Sequence, residues 1–376
     1  MDYYIYDFET SQAAPARQKQ GWVRLLLAAT LGAAIALVGY AGLEAWQTPE
    51  NPTVVAEPAP PIDALPTMSP VEDEYSPADV GEAVVPAVVT VQIGAQTANG
   101  VVSQGSGSGV IIDTAGHVVT NDHVAGDAGS LRVVLADGRV YDANLIGTDP
   151  VTDLAVLRID AGNLSAVQFG STDDMQVGDT TIAIGNPLGL DGGPSLTVGV
   201  LSALGRDVTT GPATTLYGML QTDAPITQGS SGGALVDGAG RLIGITTAVG
   251  VSEVGIEGIG FATPIEIVER VVADILDDGV VAHALLGINV STSFTEIADG
   301  GARPTGVAVD AIEPGSAADV AGLRLGDVIK VVEGIAVDTS SELISTLRRL
   351  GAGDLVTLEI ERSGTQLDVS VTLGTL

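Results

Sequence analysis

With 376 residues, 47 acidic against 15 basic side chains and no cysteine, the chain is long enough for two or three domains, and thiol chemistry and cysteine-based metal sites are closed to it. Its formal net charge of −32 repels phosphates and argues against nucleic acid as a partner. Aromatic residues make up only 3% and glycine supplies 49 positions, so the core must rest on Val, Ile, Leu and Ala, a composition suited to short strands and tight turns.

At the amino terminus, residues 1–24 form a polar segment containing Arg17, Lys19 and Arg24. Residues 25–43 that follow are uncharged. As a helix this run would extend about 28 Å at ~1.5 Å per residue, close to the ~30 Å hydrocarbon core of a bilayer. Trp22 and Trp46 flank it as interface anchors do, and no Lys or Arg follows until Arg132. The expectation is a single transmembrane helix over 25–43, with residues 1–24 cytoplasmic and the rest of the chain extracytoplasmic. A cleaved signal peptide is the competing reading, although Glu44 and Trp46 suit a cleavage site poorly. Residues 44–77 are rich in proline and acidic side chains, with no basic residue. Such a segment buries too little apolar surface to fold and reads as an extended, disordered linker.

From Val84 onward the pattern changes to short β-branched runs separated by Gly, Asp and Asn. Over residues 78–278 this predicts an all-β domain, a sandwich or a pair of barrels. Ala136-Asp137-Gly138-Arg139 and the stretch from Val236 to Gly240 read as hairpin connections. Residues 264–277 carry helical spacing (Ile265, Val268, Val272, Ile275), with Gly279 placed to end the helix. The serine-containing loop Gly105-Ser106-Gly107-Ser108-Gly109 reads as a turn.

Three segments in this region carry chemistry: Thr120-Asn121-Asp122-His123-Val124, Thr152-Asp153-Leu154-Ala155-Val156 and Thr227-Gln228-Gly229-Ser230-Ser231-Gly232-Gly233-Ala234. They place a His, an Asp and a Ser in that order, the residue types that nucleophilic acyl transfer requires. In this assignment Ser231 attacks, His123 takes and returns the proton, Asp153 orients His123, and the backbone N–H groups of Gly229 and Ser231 hold the developing oxyanion. Gly232 and Gly233 allow a sharp turn and close substrate approach. Ser230 is a rival nucleophile, less well placed before the Gly-Gly pair. The mechanism requires no cofactor and no metal.

The whole stretch from about 84 to 270 resembles the HtrA/Deg serine proteases of the trypsin-like superfamily. The resemblance rests on segments in family order, among them Gly107-Ser108-Gly109-Val110-Ile111, Asp153-Leu154-Ala155-Val156-Leu157, Ala183-Ile184-Gly185-Asn186-Pro187-Leu188-Gly189, Gln221-Thr222-Asp223-Ala224 and Gly258-Ile259-Gly260-Phe261-Ala262. It implies two six-stranded β-barrels with the triad in the cleft between them, and an oxyanion loop that can switch form. The stretches from Asn186 to Gly193 and from Gly205 to Gly218 are the candidate regulatory loops. Two departures stand out: Thr227-Gln228-Gly229-Ser230 replaces the family's Asn-Pro-Gly-Asn, and Ala234 replaces a Pro. Both positions are expected near the specificity pocket and oxyanion loop.

Residues 284–376 resemble one PDZ domain, through Leu285-Leu286-Gly287-Ile288-Asn289-Val290, Pro314-Gly315-Ser316-Ala317-Ala318, Ala321-Gly322-Leu323-Arg324-Leu325-Gly326-Asp327 and Glu333-Gly334. A helix capped by Ser340 or Ser341 and ending near Arg349 carries Leu343, Ile344 and Leu347 at helical spacing. The resemblance implies a groove between this helix and a strand at 288–291, formed by Leu286, Gly287, Ile288, Leu343 and Leu347, where a peptide carboxyl terminus adds as an extra strand. Taken together it implies a membrane-anchored serine endopeptidase, assembled as a homotrimer, that cleaves unfolded or damaged polypeptides. A non-catalytic tethered PDZ scaffold or holdase on a protease fold is the alternative.

Overall fold

The computed structural model describes residues 76–97, 100–186, 193–210, 214–247 and 258–376. The expected transmembrane run at 25–43, the segment before it and nearly all of the linker lie outside the described residues. Among the described residues, no helix is long and apolar enough to cross a membrane. The chain divides into residues 1–70 and 71–376, and the described residues all belong to the second unit.

The described structure opens on helix α1 (Pro77–Val84), one residue inside the expected linker. Ser76 and Asp79 form a capping box, the Ser76 side chain accepting from the Asp79 N–H and the Asp79 carboxylate from the Ser76 N–H. Pro77 fits the first turn because it has no N–H to lose there. Val80 and Val84 bury the inner face.

Six strands then close into a barrel: β1 (Val88–Thr97), β2 (Gly100–Ile111), β3 (His117–Thr120), β4 (Ser130–Val134), β5 (Val140–Asp149) and β6 (Leu154–Ile159), in the order β1-β2-β3-β6-β5-β4. A short helix α2 (Asp122–Ala125) follows β3. A second closed barrel contains β7 (Thr180–Gly185), β8 (Ser195–Thr209), β9 (Thr215–Thr222), β10 (Ala234–Asp237), β11 (Leu242–Thr247) and β12 (Gly260–Pro264), in the order β10-β11-β12-β9-β8-β7. Both predicted hairpin connections are present, with Gly138 (φ 86°) and Gly240 (φ 80°) in the left-handed conformation their turns need.

Strand β6 shows why these segments form barrels. Ala155, Leu157 and Ile159 point into the first barrel's core, while Leu154 and Val156 enter a separate core shared with Ile182, Ile184, Leu242 and Ile245 of the second barrel. A strand buried on both faces loses the apolar/polar alternation and reads as a continuous apolar run. Helix α3 (Ile265–Asp278) closes the shared core with Ile265, Val268, Val272 and Ile275, and Gly279 ends it at φ 76°.

The stretch from Gly105 to Gly109 is not a turn. It lies within the 12-residue strand β2, where Gly107 and Gly109 leave room for Val124 and Val118. Likewise, most of the stretch from Gly205 to Gly218 is not a loop but the far half of the β8–β9 hairpin, whose tip lies outside the described residues. Most of the other candidate regulatory loop, residues 187–192, also lies outside them.

The carboxy-terminal module has its own core, centred on Val307, Ile329, Leu358 and Ile360. Its strands are β13 (Ala284–Leu285), β14 (Ile288–Glu296), β15 (Ala302–Ile312), β16 (Val328–Val332), β17 (Ile335–Ala336), β18 (Leu355–Arg362), β19 (Thr365–Thr372) and β20 (Gly374–Thr375). The main sheet runs β14-β15-β16-β18-β19, which leaves β14 at an edge. Helix α4 (Ala317–Val320) is short; α5 (Ser340–Arg348) packs beside β14, Thr292 Oγ1 accepting from the Ser340 N–H at 3.2 Å. The cap of α5 is Thr339 rather than either serine, because Glu342 sits three residues on and completes a capping box.

Candidate active site

His123 is carried on α2, directly after β3. Its Nδ1–H donates to the Asp153 carboxylate, at 2.8 Å to Oδ2 and 2.9 Å to Oδ1, and its backbone N–H reaches the same Oδ1 at 3.0 Å. The ring's Nε2 is thereby left as the acceptor nitrogen. Asp153 holds φ 57°, a left-handed backbone that Asp tolerates better than most residues. Asp149 fixes the turn that presents it. The Asp149 carboxylate accepts from the Val151 N–H at 3.2 Å, from the Thr152 hydroxyl, and from the His283 ring Nε2 at 2.8 Å. Asn121 adds a bridge between barrels, its Nδ2 donating to the Asp153 carbonyl at 2.8 Å and to Thr247 Oγ1 at 3.1 Å.

The His123 imidazole is pushed above its ordinary value of 6.5. The Asp153 hydrogen bond is the largest cause, burial works against it, and the charges of Asp153 and Asp122 add to the rise. The Asp149 carboxyl is lowered: burial opposes ionisation, but the bonds from His283 and Thr152 outweigh it.

Ser231 lies in the turn before β10, 6% exposed. Gly229 (φ 92°) and Gly232 (φ 83°) both take left-handed backbones there. A β-carbon on Gly232 would collide with the Ser108 carbonyl and the Thr120 hydroxyl, and one on Gly233 would meet the Ile184 carbonyl. The loop is clamped from two sides. Strand β11 takes the Gly232 N–H on the Thr246 carbonyl (2.8 Å) and gives the Thr246 hydroxyl to the Ser230 carbonyl (2.7 Å). Strand β2 gives the Ser108 N–H to the Ser231 carbonyl (2.7 Å) and the Ser108 hydroxyl to the Gly229 carbonyl (2.8 Å).

His123, Gly229 and Ser231 line one cleft of about 560 Å³, together with Gln228, Ser106 and the apolar side chains of Ile226, Ile259 and Phe261. Gly260 keeps that apolar end open, since a β-carbon there would lie 2.6 Å from Ile226 Cδ1. Ser230 is not on the cleft wall; with Thr227 it faces a separate cavity of about 70 Å³. Ala234 is fully buried, paired with Ile184 and Ile245 in the barrel, and takes no part in the cleft. Among the described residues, no His, Cys, Asp and Glu cluster could hold a metal ion.

Sequence reasoning missed Ser108, Asn121 as a bridge, Thr247 and the apolar residues Ile226, Ile259 and Phe261. In the carboxy-terminal module, Leu286 and Leu343 are core residues, 1% and 2% exposed, rather than open groove wall. Ile288 and Leu347 are half-buried against the same core, and Gly287 (φ 75°) turns the chain where a side chain would strike Ser316.

Two closed barrels with an Asp-bonded His and a glycine-clamped Ser on one cleft, followed by a sheet with a helix beside its edge strand, define a trypsin-like peptidase fold joined to a PDZ domain. Family comparison agrees: residues 107–245 match the trypsin-like peptidase domain and residues 284–373 a PDZ domain. The chain is 40% identical over 269 residues to a probable periplasmic serine endoprotease DegP-like from Chlamydia muridarum, covering 71% of this chain and 53% of that one. It is 40% identical over 271 residues to the periplasmic serine endoprotease DegP of Escherichia coli K12, covering 71% and 56%. It therefore spans about half the length of these curated relatives. Among solved structures, the HtrA-type protease AlgW with tripeptide aligns at TM-score 0.64 and 35% identity, over 80% of this chain and 98% of that one. The serine endoprotease from Yersinia pestis aligns at TM-score 0.55 and 33% identity, over 81% and 100%. The chain belongs to the DegP/HtrA family of serine endoproteases.

Proposed function

We propose that the chain is an extracytoplasmic serine endopeptidase, held to the membrane by residues 25–43 and acting on unfolded polypeptide. The observation that carries the reading is the His123–Asp153 hydrogen bond beside Ser231 on one open cleft. His123 Nε2 takes the Ser231 hydroxyl proton as Oγ attacks the scissile carbonyl. The imidazolium is stabilised by Asp153 and returns the proton to the leaving amine. Water then repeats the sequence on the acyl-enzyme, which releases the carboxylate and restores Ser231. The N–H groups of Gly229 and Ser231 hold the oxyanion in both steps.

Ile226, Ile259 and Phe261 make one end of the cleft apolar, which suits an aliphatic side chain before the scissile bond. Such side chains are exposed when a protein is unfolded. The periplasmic relatives and the lack of basic residues between 25 and 131 support the extracytoplasmic placement. At the carboxy-terminal module, the edge of β14 beside α5, with Gly287, Ile288 and Leu347, receives a peptide carboxyl terminus as an added strand. Assembly as a homotrimer is part of the same reading and rests on the family.

A fluorophosphonate probe tests it. Wild-type protein should label once per chain, and Ser231→Ala should abolish both labelling and casein hydrolysis, a loss of at least about 10⁴-fold. Labelling that persists in Ser231→Ala, or wild-type protein that binds unfolded casein without reacting, would overturn it.

A further inference from the structure

Ser108 sits on β2 of the first barrel and is completely buried, yet its hydrogen bonds all cross to other elements. Its hydroxyl accepts from the Asn186 N–H at 2.8 Å and donates to the Gly229 carbonyl at 2.8 Å. Its N–H holds the Ser231 carbonyl at 2.7 Å, and its carbonyl accepts from the Thr120 hydroxyl at 2.7 Å. The hydroxyl thus joins the end of β7 to the nucleophile loop, while the backbone of the same residue ties that loop to the strand that leads to His123. Gly185 approaches closely enough that a β-carbon there would stand 3.0 Å from Ser108 Oγ.

We propose that Ser108 is a positioning residue that sets the oxyanion-binding geometry, acting through the Gly229 carbonyl; this rests on the protease reading above. The two N–H groups assigned to the oxyanion belong to the peptides 228–229 and 230–231. The Gly229 carbonyl belongs to the peptide between them. Gly229, at φ 92° and without a side chain, has little intrinsic resistance to rotation. A hydrogen bond on its carbonyl therefore fixes how one donor is oriented relative to the other. Because the Ser108 N–H also holds the Ser231 carbonyl, β2 grips the loop on both sides of Ser230. An alanine at 108 would leave the Gly229 carbonyl and the Asn186 N–H without this partner and free the pivot between the two donors.

Donors aimed at an oxyanion act on the transition state more than on bound substrate. In the full chain, Ser108→Ala should therefore lower kcat by about tenfold or more on a fluorogenic peptide with valine before the scissile bond, while KM changes less than about twofold. Affinity for a matching valine boronic acid, which forms a tetrahedral adduct on the serine, should fall by the same factor as kcat/KM. The pH midpoint of kcat/KM should not move, because the His123–Asp153 pair is untouched. Ser108→Cys keeps a weaker donor on a slightly larger side chain; it should show the same pattern at smaller amplitude and serves if the alanine variant does not fold. If wild-type protein neither turns over the peptide nor reacts with fluorophosphonate, the protease reading fails and takes this one with it. If wild-type protein is active, a folded Ser108 variant with wild-type kcat overturns the positioning role alone. So does one that loses only melting temperature or KM with boronate affinity intact.

Discussion

His123 and Asp153 stand 30 residues apart on one barrel and bond directly to each other, whereas Ser231 is held on the other barrel by a loop whose bonds reach 121 residues back to Ser108. The first half is a side-chain pair on a left-handed turn, buttressed from outside by His283, the residue just before the PDZ domain, whose backbone pairs with Gly351 and Leu376 of that domain. The second half is almost entirely backbone, made of glycines that fit and carbonyls that are pinned. The contrast separates two kinds of sensitivity. Disturbing the His–Asp half changes a protonation state and the stability of the turn. Disturbing the serine half changes the direction of backbone donors, with no effect on titration.

The largest effect that would sharpen this contrast comes from Asp153→Asn. The amide removes the charge that favours the imidazolium and presents the wrong partner to Nδ1, so kcat should fall by about 10⁴-fold. The sign of the pH effect follows from the raised His123 value. The base must be neutral to act, so wild-type kcat/KM should rise with pH through a midpoint above 6.5. In Asp153→Asn the residual activity should titrate at a lower pH. A pH–rate profile of both proteins checks this, and an unchanged midpoint would break the division between the halves.

The next effect concerns the buttress. Asp149 and His283 are 4% and 7% exposed, and Asp149 holds both the turn that presents Asp153 and His283 at the entrance to the PDZ domain. Asp149→Ala strands a buried histidine and frees the turn, which should cost about 3 kcal/mol in denaturant unfolding. Because the Asp149 carboxyl is lowered from its usual 3.8, its contribution is complete above that value and disappears as pH falls through the folded value. The variant and wild type should therefore converge in stability under strong acid and differ at neutral pH. A constant difference down to low pH would contradict the assignment.

What the sequence disclosed follows the same division. His123, Asp153 and Ser231 could be singled out as candidates because each sits in a short motif whose neighbours serve a local purpose: Asp122 and Val124 on the helix, Leu154 and Val156 on the strand, Gly232 and Gly233 in the turn. Ser108 was not, because a serine among glycines looks like a turn until its partners at Gly229 and Asn186 are known, and those lie far along the chain. Asp149 and His283 were hidden for the same reason, at 134 residues apart. The α5 cap shows the opposite case. Thr339 and Glu342 carry a capping-box spacing that is local and readable, but two adjacent serines offered a simpler choice. In the PDZ domain the apolar periodicity located α5 correctly but did not say which leucines face the core, since Leu343 and Leu347 fall on the same side of the helix.

The smallest effect should come from the contact of Arg349, at the end of α5, with the loop before β7 and the start of α3. Arg349 reaches Asp173 at 2.6 Å and stands 3.9 Å from Glu266, which is itself occupied by Ser171 and Thr172. Asp173 is well exposed, so solvent screens the pair, and Arg349→Ala should cost no more than about 1 kcal/mol, less at high salt. It should leave kcat on a short peptide within about twofold of wild type, because nothing in the contact touches the Asp153 turn or the Ser108 clamp. The buttress at Asp149 differs in both burial and position, and paired measurements of Asp149→Ala and Arg349→Ala test whether that difference matters. If Arg349→Ala matched Asp149→Ala in stability and turnover, the PDZ domain would act on the cleft through its whole docked face, rather than through the single turn that carries Asp153.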